Sequence, residues 1–228
     1  VTANLYKKDL EQASKDVHAA IASLGELPKG VNIELAGMAP VLEETLSSLS
    51  TGLLIAVFVI FLMLAATFQS FRVSIVILST VPFVVVGALL MLNITGSTLN
   101  LQSYMGLIMS VGVSIANAVL LISNAETLRK SNSDAIHSGI EAARLRIRPI
   151  IMTTLAMIAG MLPMAIGFGE GGDQIAPLGR AVIGGLLFST FSVLIILPLV
   201  FGWMQKKSSI ISLSLDPEDE NSIHFIKS

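Results

Sequence analysis

The sequence has no cysteine and few charged residues, and both shortages limit what the protein can be. The lack of cysteine excludes disulfides and thiolate metal sites. Charged residues make up 13% of the 228 residues, against about 25% in an average soluble domain. Apolar residues reach 53%, and the mean hydropathy is +0.79. Because a soluble core cannot take up that much apolar surface, we expect a membrane protein.

Groups suited to catalysis are also scarce. His18, His137 and His224 are scattered along the chain, so we expect neither a metal cluster nor a Ser/His/Asp triad. The glycine-rich run at 167–172 follows no strand, and we interpret it as a flexible turn and not as a phosphate cradle. The net charge is −2, and the basic residues form no single face that would bind nucleic acid. We therefore expect that the protein is not an enzyme and binds no metal, cofactor or nucleic acid.

Five uncharged, mostly apolar runs predict transmembrane helices. Each has about 20 residues, the length that a hydrocarbon core of about 30 Å requires. They lie at 49–68, 73–92, 104–123, 149–168 and 181–204. Pro82, Pro163 and Pro198 lie inside three of these runs, where we expect them to bend the helix and free carbonyls. None of the runs carries an ionisable residue away from its ends, so they contain no evident proton carrier.

Basic residues predict the orientation of these helices. The connector between the third and fourth runs is rich in them, ending in Arg144, Arg146, Arg148 and Pro149. The positive-inside bias then places this connector and the C-terminal tail in the cytoplasm, and the N-terminal residues outside. Within the connector we predict a short amphipathic helix at 135–145 along the membrane surface, and we place Pro149 in the first turn of the fourth span. The arginines are either a charged anchor, or one of them has a role at the membrane edge.

The two ends of the chain have a soluble character. Apolar residues at helical spacing over 10–24 predict an amphipathic helix, and the alternation at 31–36 predicts a strand. We expect residues 1–39 to be the last helix–strand unit of an α/β domain, and the chain to be a piece of a longer protein. A helix opened by Pro40 is predicted to run without a break into the first span, within a transmembrane domain at 40–204. The polar residues 205–228 are predicted to be a disordered tail.

Several motifs spread over about residues 5–204 closely resemble the resistance-nodulation-division (RND) efflux transporters of the multidrug, amphiphile-exporting type. They are A-G-M-A-P-V-L-E-E-T, L-A-A-T-F-Q-S-F, V-P-F-V-V-V-G-A-L-L, G-S-T-L-N-L-Q-S-Y-M-G-L-I-M-S-V-G-V-S-I-A-N-A-V-L-L-I, E-A-A-R-L-R-I-R-P-I-I-M-T-T, G-E-G-G-D and A-V-I-G-G-L-L-F-S-T. The resemblance implies transmembrane helices eight to twelve of a twelve-helix fold, preceded by the end of a periplasmic porter subdomain. It implies multidrug resistance through proton antiport in the bacterial inner membrane, driven by the proton motive force without a cofactor.

The resemblance also implies a site and partners. Carried over to this sequence, the proton relay would use Arg146, Thr153 and Asn117, facing aspartates in the N-terminal half of the transporter. Multidrug pumps carry a relay lysine where this sequence has Ala116. The alternative for Thr153 is a hydroxyl that bonds its own helix. The family's assembly would be a homotrimer in the lipid bilayer, with a periplasmic adaptor and an outer-membrane channel. Two other functions remain open, a truncated non-transporting fragment and a lipid or polypeptide transporter of the same superfamily.

Overall fold

The computed structural model describes residues 16–17, 19–21, 23, 38–132, 134–169 and 171–205, and every regular element in these ranges is helical. Five segments are long and apolar enough to cross a membrane, and they confirm the five predicted spans. They are Glu44–Phe68, Phe71–Ile94, Leu101–Ser131, Ala135–Ile166 and Gly172–Gln205. The helices that form them are α1 (Met38–Phe68), α2 (Phe71–Leu78), α3 (Val81–Ile94), α4 (Leu101–Asn132), α5 (Ala135–Ile166), α6 (Gly172–Phe191) and α7 (Leu197–Gln205).

The first span is one unbroken helix, as predicted. α1 has 31 residues, which corresponds to about 46 Å at a rise of about 1.5 Å per residue. It is therefore longer than a hydrocarbon core of about 30 Å. The excess length lies at its N-terminal end, where the predicted α/β unit would precede it.

The second span is broken at Ser79 and Thr80, between α2 and α3. Pro82 lies in the first turn of α3, where its missing N–H costs no helical hydrogen bond. The hydroxyls of the two break residues bond back to α2, with Ser79 Oγ donating to Val76 O at 2.6 Å and Thr80 Oγ1 to Ile77 O at 2.9 Å. We predicted a bend at Pro82, and the structure has a break in the helix just before this residue.

The prediction of a separate surface helix at 135–145 is wrong, because these residues belong to the longer helix α5. Asp134 caps the helix by accepting from Ile136 N at 3.0 Å, and α5 continues for 32 residues, so Pro149 lies inside it and not in its first turn. Ala142 and Ile150 are both buried in the core, on either side of the proline, and this packing keeps the helix continuous. The segment before Pro149 packs on α7, because a Cβ on Gly139 would lie only 3.0 Å from Pro198 O.

The last span starts earlier than predicted. α6 begins at Gly172, so residues 172–180 form a helix and not the loop that we expected before 181. The preceding turn is confirmed, since Gly167, Gly169 and Gly171 all have positive φ. A π-helix at Ser192–Ile196 joins α6 to α7, and Leu197 N donates to Ser192 O across five residues. Pro198 follows directly, so the distortion predicted at this proline is a π turn.

α6 is the central helix of the described bundle and packs on α3, α4 and α5. Its residues from Ala181 to Leu186 are all buried. Close approach depends on glycine, because a Cβ on Gly184 would lie 2.5 Å from Gly87 O on α3, and a Cβ on Gly106 of α4 would lie 2.6 Å from Leu178 O. Small residues thus allow these helices to pack closely, as is usual for helices in membranes.

The outer surface of the bundle is apolar. Large side chains that are more than two-thirds exposed include Leu54, Met63, Met152, Phe168 and Trp203. Such a surface suits lipid and other membrane helices. The predicted strand at 31–36, most of the unit at 1–39, His18, His224 and nearly all of the tail lie outside the described residues, whereas residues 16–17, 19–21 and 23 are helical, as predicted.

Candidate functional site

Arg146 on α5 is held by Asn124 on α4. In the amide orientation that satisfies both side chains, Asn124 Oδ1 accepts from Arg146 Nε at 2.6 Å and from Nη2 at 3.2 Å. Arg146 is half-buried, so its guanidinium is fixed against the neighbouring helix. Sequence reasoning missed Asn124, although it lies seven residues after Asn117 and therefore on the same helix face.

Thr153 lies on the same face of α5 as Arg146, seven residues or about 10 Å further along the helix. Its side chain is exposed, and its hydroxyl lies 3.1 Å from Pro149 O and 3.0 Å from Ile150 O. A hydroxyl has a single hydrogen, so it donates to one of these carbonyls at a time. The described residues thus show the alternative that we kept open, a hydroxyl bonded to its own helix, and a carboxylate from elsewhere would have to replace that bond.

Asn117 and Ala116 lie in the middle of α4. Asn117 is half-buried, and its side chain makes no hydrogen bond with the residues that the structure describes. Ala116 is exposed and carries only a methyl group at the position where the resemblance implies a lysine. The amide is free to bond a group that the rest of the protein supplies.

Two exposed stripes of small residues accompany these side chains, and we call them the open faces. On α4 the open face consists of Gly112 and Ala116, and on α5 it consists of Thr153, Ala156 and Gly160. A Cβ added at Gly112 or at Gly160 would meet no atom within 4 Å. Other helices can therefore approach both stripes closely.

Thr154 differs from its neighbour because it points into the bundle and is only 4% exposed. Its Oγ1 lies 2.9 Å from Thr190 Oγ1 on α6, and the Thr190 hydroxyl is 2.8 Å from Leu186 O. Because Thr190 uses its hydrogen on that carbonyl, Thr154 is the donor in the pair. This bond ties α5 to the central helix.

Arg180 lies within α6 and joins three elements. Its Nε donates to Ala165 O near the end of α5 at 2.9 Å, and its Nη1 donates to Ser97 Oγ after α3 at 2.6 Å. The predicted fifth span begins at 181, so this cation inside the span was missed. At the opposite end, Gln205 Nε2 donates to Glu126 Oε1 at 2.7 Å, and Arg129 pairs with the same carboxylate at 3.5 Å.

The described site can orient a carboxylate but has none of its own on the open faces. Glu126 is already engaged by Arg129 and Gln205. No group of three or more His, Cys, Asp or Glu side chains that would suit a metal ion occurs among the described residues. Arg146, Asn117 and Thr153 therefore offer a cation, an amide and a hydroxyl to groups from outside this part of the chain.

The model of the AcrB/AcrD/AcrF family matches residues 1–205, which is most of the chain. The chain belongs to the AcrB/AcrD/AcrF family. Among its relatives, it is 35% identical over 198 residues to the multidrug resistance protein MdtC of Erwinia tasmaniensis, covering 86% of this chain and 19% of that protein. It is 32% identical over 208 residues to the swarming motility protein SwrC of Bacillus subtilis, covering 90% and 20%. It is 35% identical over 179 residues to the toluene efflux pump membrane transporter TtgB of Pseudomonas putida, covering 78% and 17%.

The fold is similar to that of a solved efflux pump. The crystal structure of a heavy metal efflux pump superposes with a TM-score of 0.76 at 29% identity, covering 90% of this chain and 20% of that one. These matches confirm the resemblance to the RND efflux transporters, and with the five spans they identify a multi-pass membrane protein of that family. The chain spans about a fifth of the length of these relatives and of the solved pump.

Proposed function

We propose that this chain forms the second-half membrane helices, eight to twelve, of a proton-driven exporter of drugs and other amphiphiles. The observation that carries the proposal is the pair of open faces, which include Thr153, lie beside Arg146 and Asn117 and carry no carboxylate. Family membership supports it, because relatives of this chain have names that describe multidrug and toluene efflux.

In this proposal the carboxylates come from the N-terminal half of the transporter and lie against the open faces. Asn117 and Thr153 donate hydrogen bonds to them when they are ionised, and Thr153 returns to Pro149 O or Ile150 O when they are protonated. Arg146 stabilises the ionised form by its positive charge and so favours release of a proton toward the end of the helix where Arg144 and Arg148 lie. Because Ala116 brings no charge, Arg146 is the cation of this part of the relay.

The remaining parts follow the family's plan. Residues 1–39 end a periplasmic porter subdomain, 40–204 form the transmembrane domain and 205–228 a cytoplasmic tail, in the inner membrane. Three copies assemble with a periplasmic adaptor and an outer-membrane channel, and the chain has no enzymatic activity. A heavy-metal substrate is a second candidate, favoured by the structural likeness to a heavy metal efflux pump at the lower identity of 29%.

The test is proton flux coupled to efflux in the intact transporter that contains this chain, with the variants Thr153→Ala and Arg146→Ala. We expect each to reduce drug-dependent proton flux by about tenfold or more, because each removes a group that bonds the ionised carboxylate. Parallel assays with a metal ion as substrate separate the two candidates.

Two matched variants control for the loss of a hydroxyl and of a charge. Thr67 also bonds its own helix, to Met63 O at 2.8 Å, but lies on α1 away from the open faces, so Thr67→Ala should keep full flux. Arg72 is an exposed arginine on α2, and Arg72→Ala should do the same. Unchanged flux in both Thr153→Ala and Arg146→Ala would refute the relay. A transporter without intramembrane carboxylates in its other half would refute transport and leave a non-transporting fragment.

A further inference from the structure

Two apolar grooves meet at the arginine-rich end of α5. The first has a volume of about 320 Å³ and lies between Ala143, Arg144 and Ile147 of α5 and Leu194, Pro198 and Leu199 of the last span. The second is shallow and open, and it runs along the exposed surface of α5 past Ile147, Arg148, Ile151, Met152 and Leu155. Ile147 lines both, so the grooves adjoin, and each has one arginine at its wall.

The arginines are available to a ligand. Arg144 is 75% exposed, and its ion pair with Glu141 is a surface pair with an N–O distance of 3.6 Å, which contributes little. Arg148 is exposed and has no ion pair with any residue in the described ranges. The two lie four residues apart, about 6 Å along the helix, so one anionic group can reach both.

The positive charge of the two arginines and the apolar walls of the grooves together indicate which ligand would bind. We propose that this double groove is a binding site for an anionic phospholipid, with an acyl chain in the first groove, the second chain along the second groove and the phosphate between Arg144 and Arg148. Basic clefts between membrane helices recognise anionic head groups in this way. The apolar walls beside the two arginines favour a ligand with acyl chains over a free anion, and the proposal does not depend on proton coupling.

Trp203 gives the site a built-in reporter. It is the single tryptophan of the sequence, is 79% exposed and lies four residues after Leu199, on the same face of α7 as the first groove. A lipid chain in that groove therefore lies close to the indole ring.

The experiment measures Trp203 emission from the full 228-residue chain in phosphatidylcholine vesicles, with increasing amounts of phosphatidylglycerol brominated on its acyl chains. Brominated phosphatidylcholine is the reference quencher. We expect half-maximal quenching at a mole fraction of phosphatidylglycerol at least about fivefold lower than that of brominated phosphatidylcholine. Arg144→Gln and Arg148→Gln should each reduce this preference by about fivefold, the effect of one basic residue near an anionic surface.

Three further variants separate a site from general surface attraction. Lys130→Gln removes an exposed charge on α4 outside both grooves and should leave the preference unchanged. Glu141→Gln releases Arg144 and should increase it, whereas Ala143→Leu fills the first groove without a change in charge and should reduce it. Circular dichroism in each vesicle preparation confirms equal helix content. Equal quenching by the two lipids, or a loss with Lys130→Gln as large as with Arg144→Gln, would overturn the proposal.

Discussion

Adjacent threonines on α5 have different roles, and the difference comes from the direction of each side chain. Thr153 is exposed and bonds its own helix, whereas Thr154 is buried and donates to Thr190 on α6. In lipid an interhelical hydrogen bond replaces no bond to water. Its measured contribution to the free energy of unfolding is nevertheless modest. The Thr154–Thr190 bond is therefore suited to fixing the register of α5 on the central helix.

A double-mutant cycle measures this bond directly. Thr154→Val and Thr190→Val keep the branched shape and remove the hydroxyls, and we expect a coupling free energy of unfolding of about 0.6 kcal/mol, up to about 1.7 kcal/mol. Unfolding in mixed detergent–denaturant micelles provides the free energies. Thr127→Val serves as control, because the Thr127 hydroxyl is exposed and bonds only Ser123 O on its own helix. Strictly additive effects of the two substitutions would contradict the bond.

At this scale the sequence predicted part of the candidate site. The resemblance located Arg146, Asn117 and Thr153, and their roles stay predictions. It did not locate Asn124 or Thr190, because a polar residue in an apolar run shows its partner only when the helices are packed. Arg180 was missed for a related reason, since its hydrogen-bond acceptors, Ala165 O and Ser97 Oγ, lie far away in the sequence.

Among the helices, α6 depends on glycine for its contact with α3. A Cβ on Gly184 would lie 2.5 Å from Gly87 O, and a backbone oxygen cannot move aside as a side-chain end can. Substitution here forces two helices apart. This close contact is one of those that hold α6 at the centre of the bundle.

We expect Gly184→Ala to reduce the free energy of unfolding by about 1–3 kcal/mol, the usual cost of overpacking. The same micelle unfolding assay provides the measurement. Gly52 on α1 is the matched control, because a Cβ there would meet no atom within 4 Å. Gly52→Ala should be neutral or increase the free energy of unfolding by up to about 1 kcal/mol, since alanine is the better helix former. Equal effects of the two substitutions would show that helix propensity, and not close packing, determines the change in the free energy of unfolding.

Hydropathy predicted the five spans, and Pro82 predicted a bend in the second, which the structure shows as a break between two helices. The ends of helices were harder, as at Pro149 and Gly172. Proline favours a helix start, but burial of Ala142 and Ile150 on both sides of Pro149 outweighed that preference. The predicted fifth span began only at 181, yet the helix begins at Gly172, and Arg180 within it is satisfied by two hydrogen bonds.

For the molecule as a whole, the open faces are the part of the bundle's surface best suited to close contact with other helices. They combine small residues with the Thr153 hydroxyl and lie beside the Asn117 amide, whereas exposed surfaces elsewhere on the bundle carry large apolar side chains such as Met152 and Leu54. In the proposed pump this is where the N-terminal half docks.

Bulky substitutions on these faces separate folding of the chain from function of the pump. Gly112→Leu and Gly160→Leu should leave the unfolding of this chain nearly unchanged, because neither position has an atom within 4 Å of a Cβ. In the complete transporter they should reduce efflux by about tenfold or more, since the added side chain keeps the halves apart. Efflux of a fluorescent amphiphile by cells with matched transporter levels provides the measurement. Wild-type efflux in both variants would show that no helix packs there.

The π turn at Ser192–Ile196 also changes which residues of the last span share a helix face. A π turn holds one residue more than an α turn, so each residue after it is rotated by about 100° from the position that continued α-helical counting would assign. A helical wheel drawn through the whole span would therefore assign residues such as Leu197 and Trp203 to incorrect faces. Removal of a single residue from this segment would restore uniform counting and turn α7 away from α5.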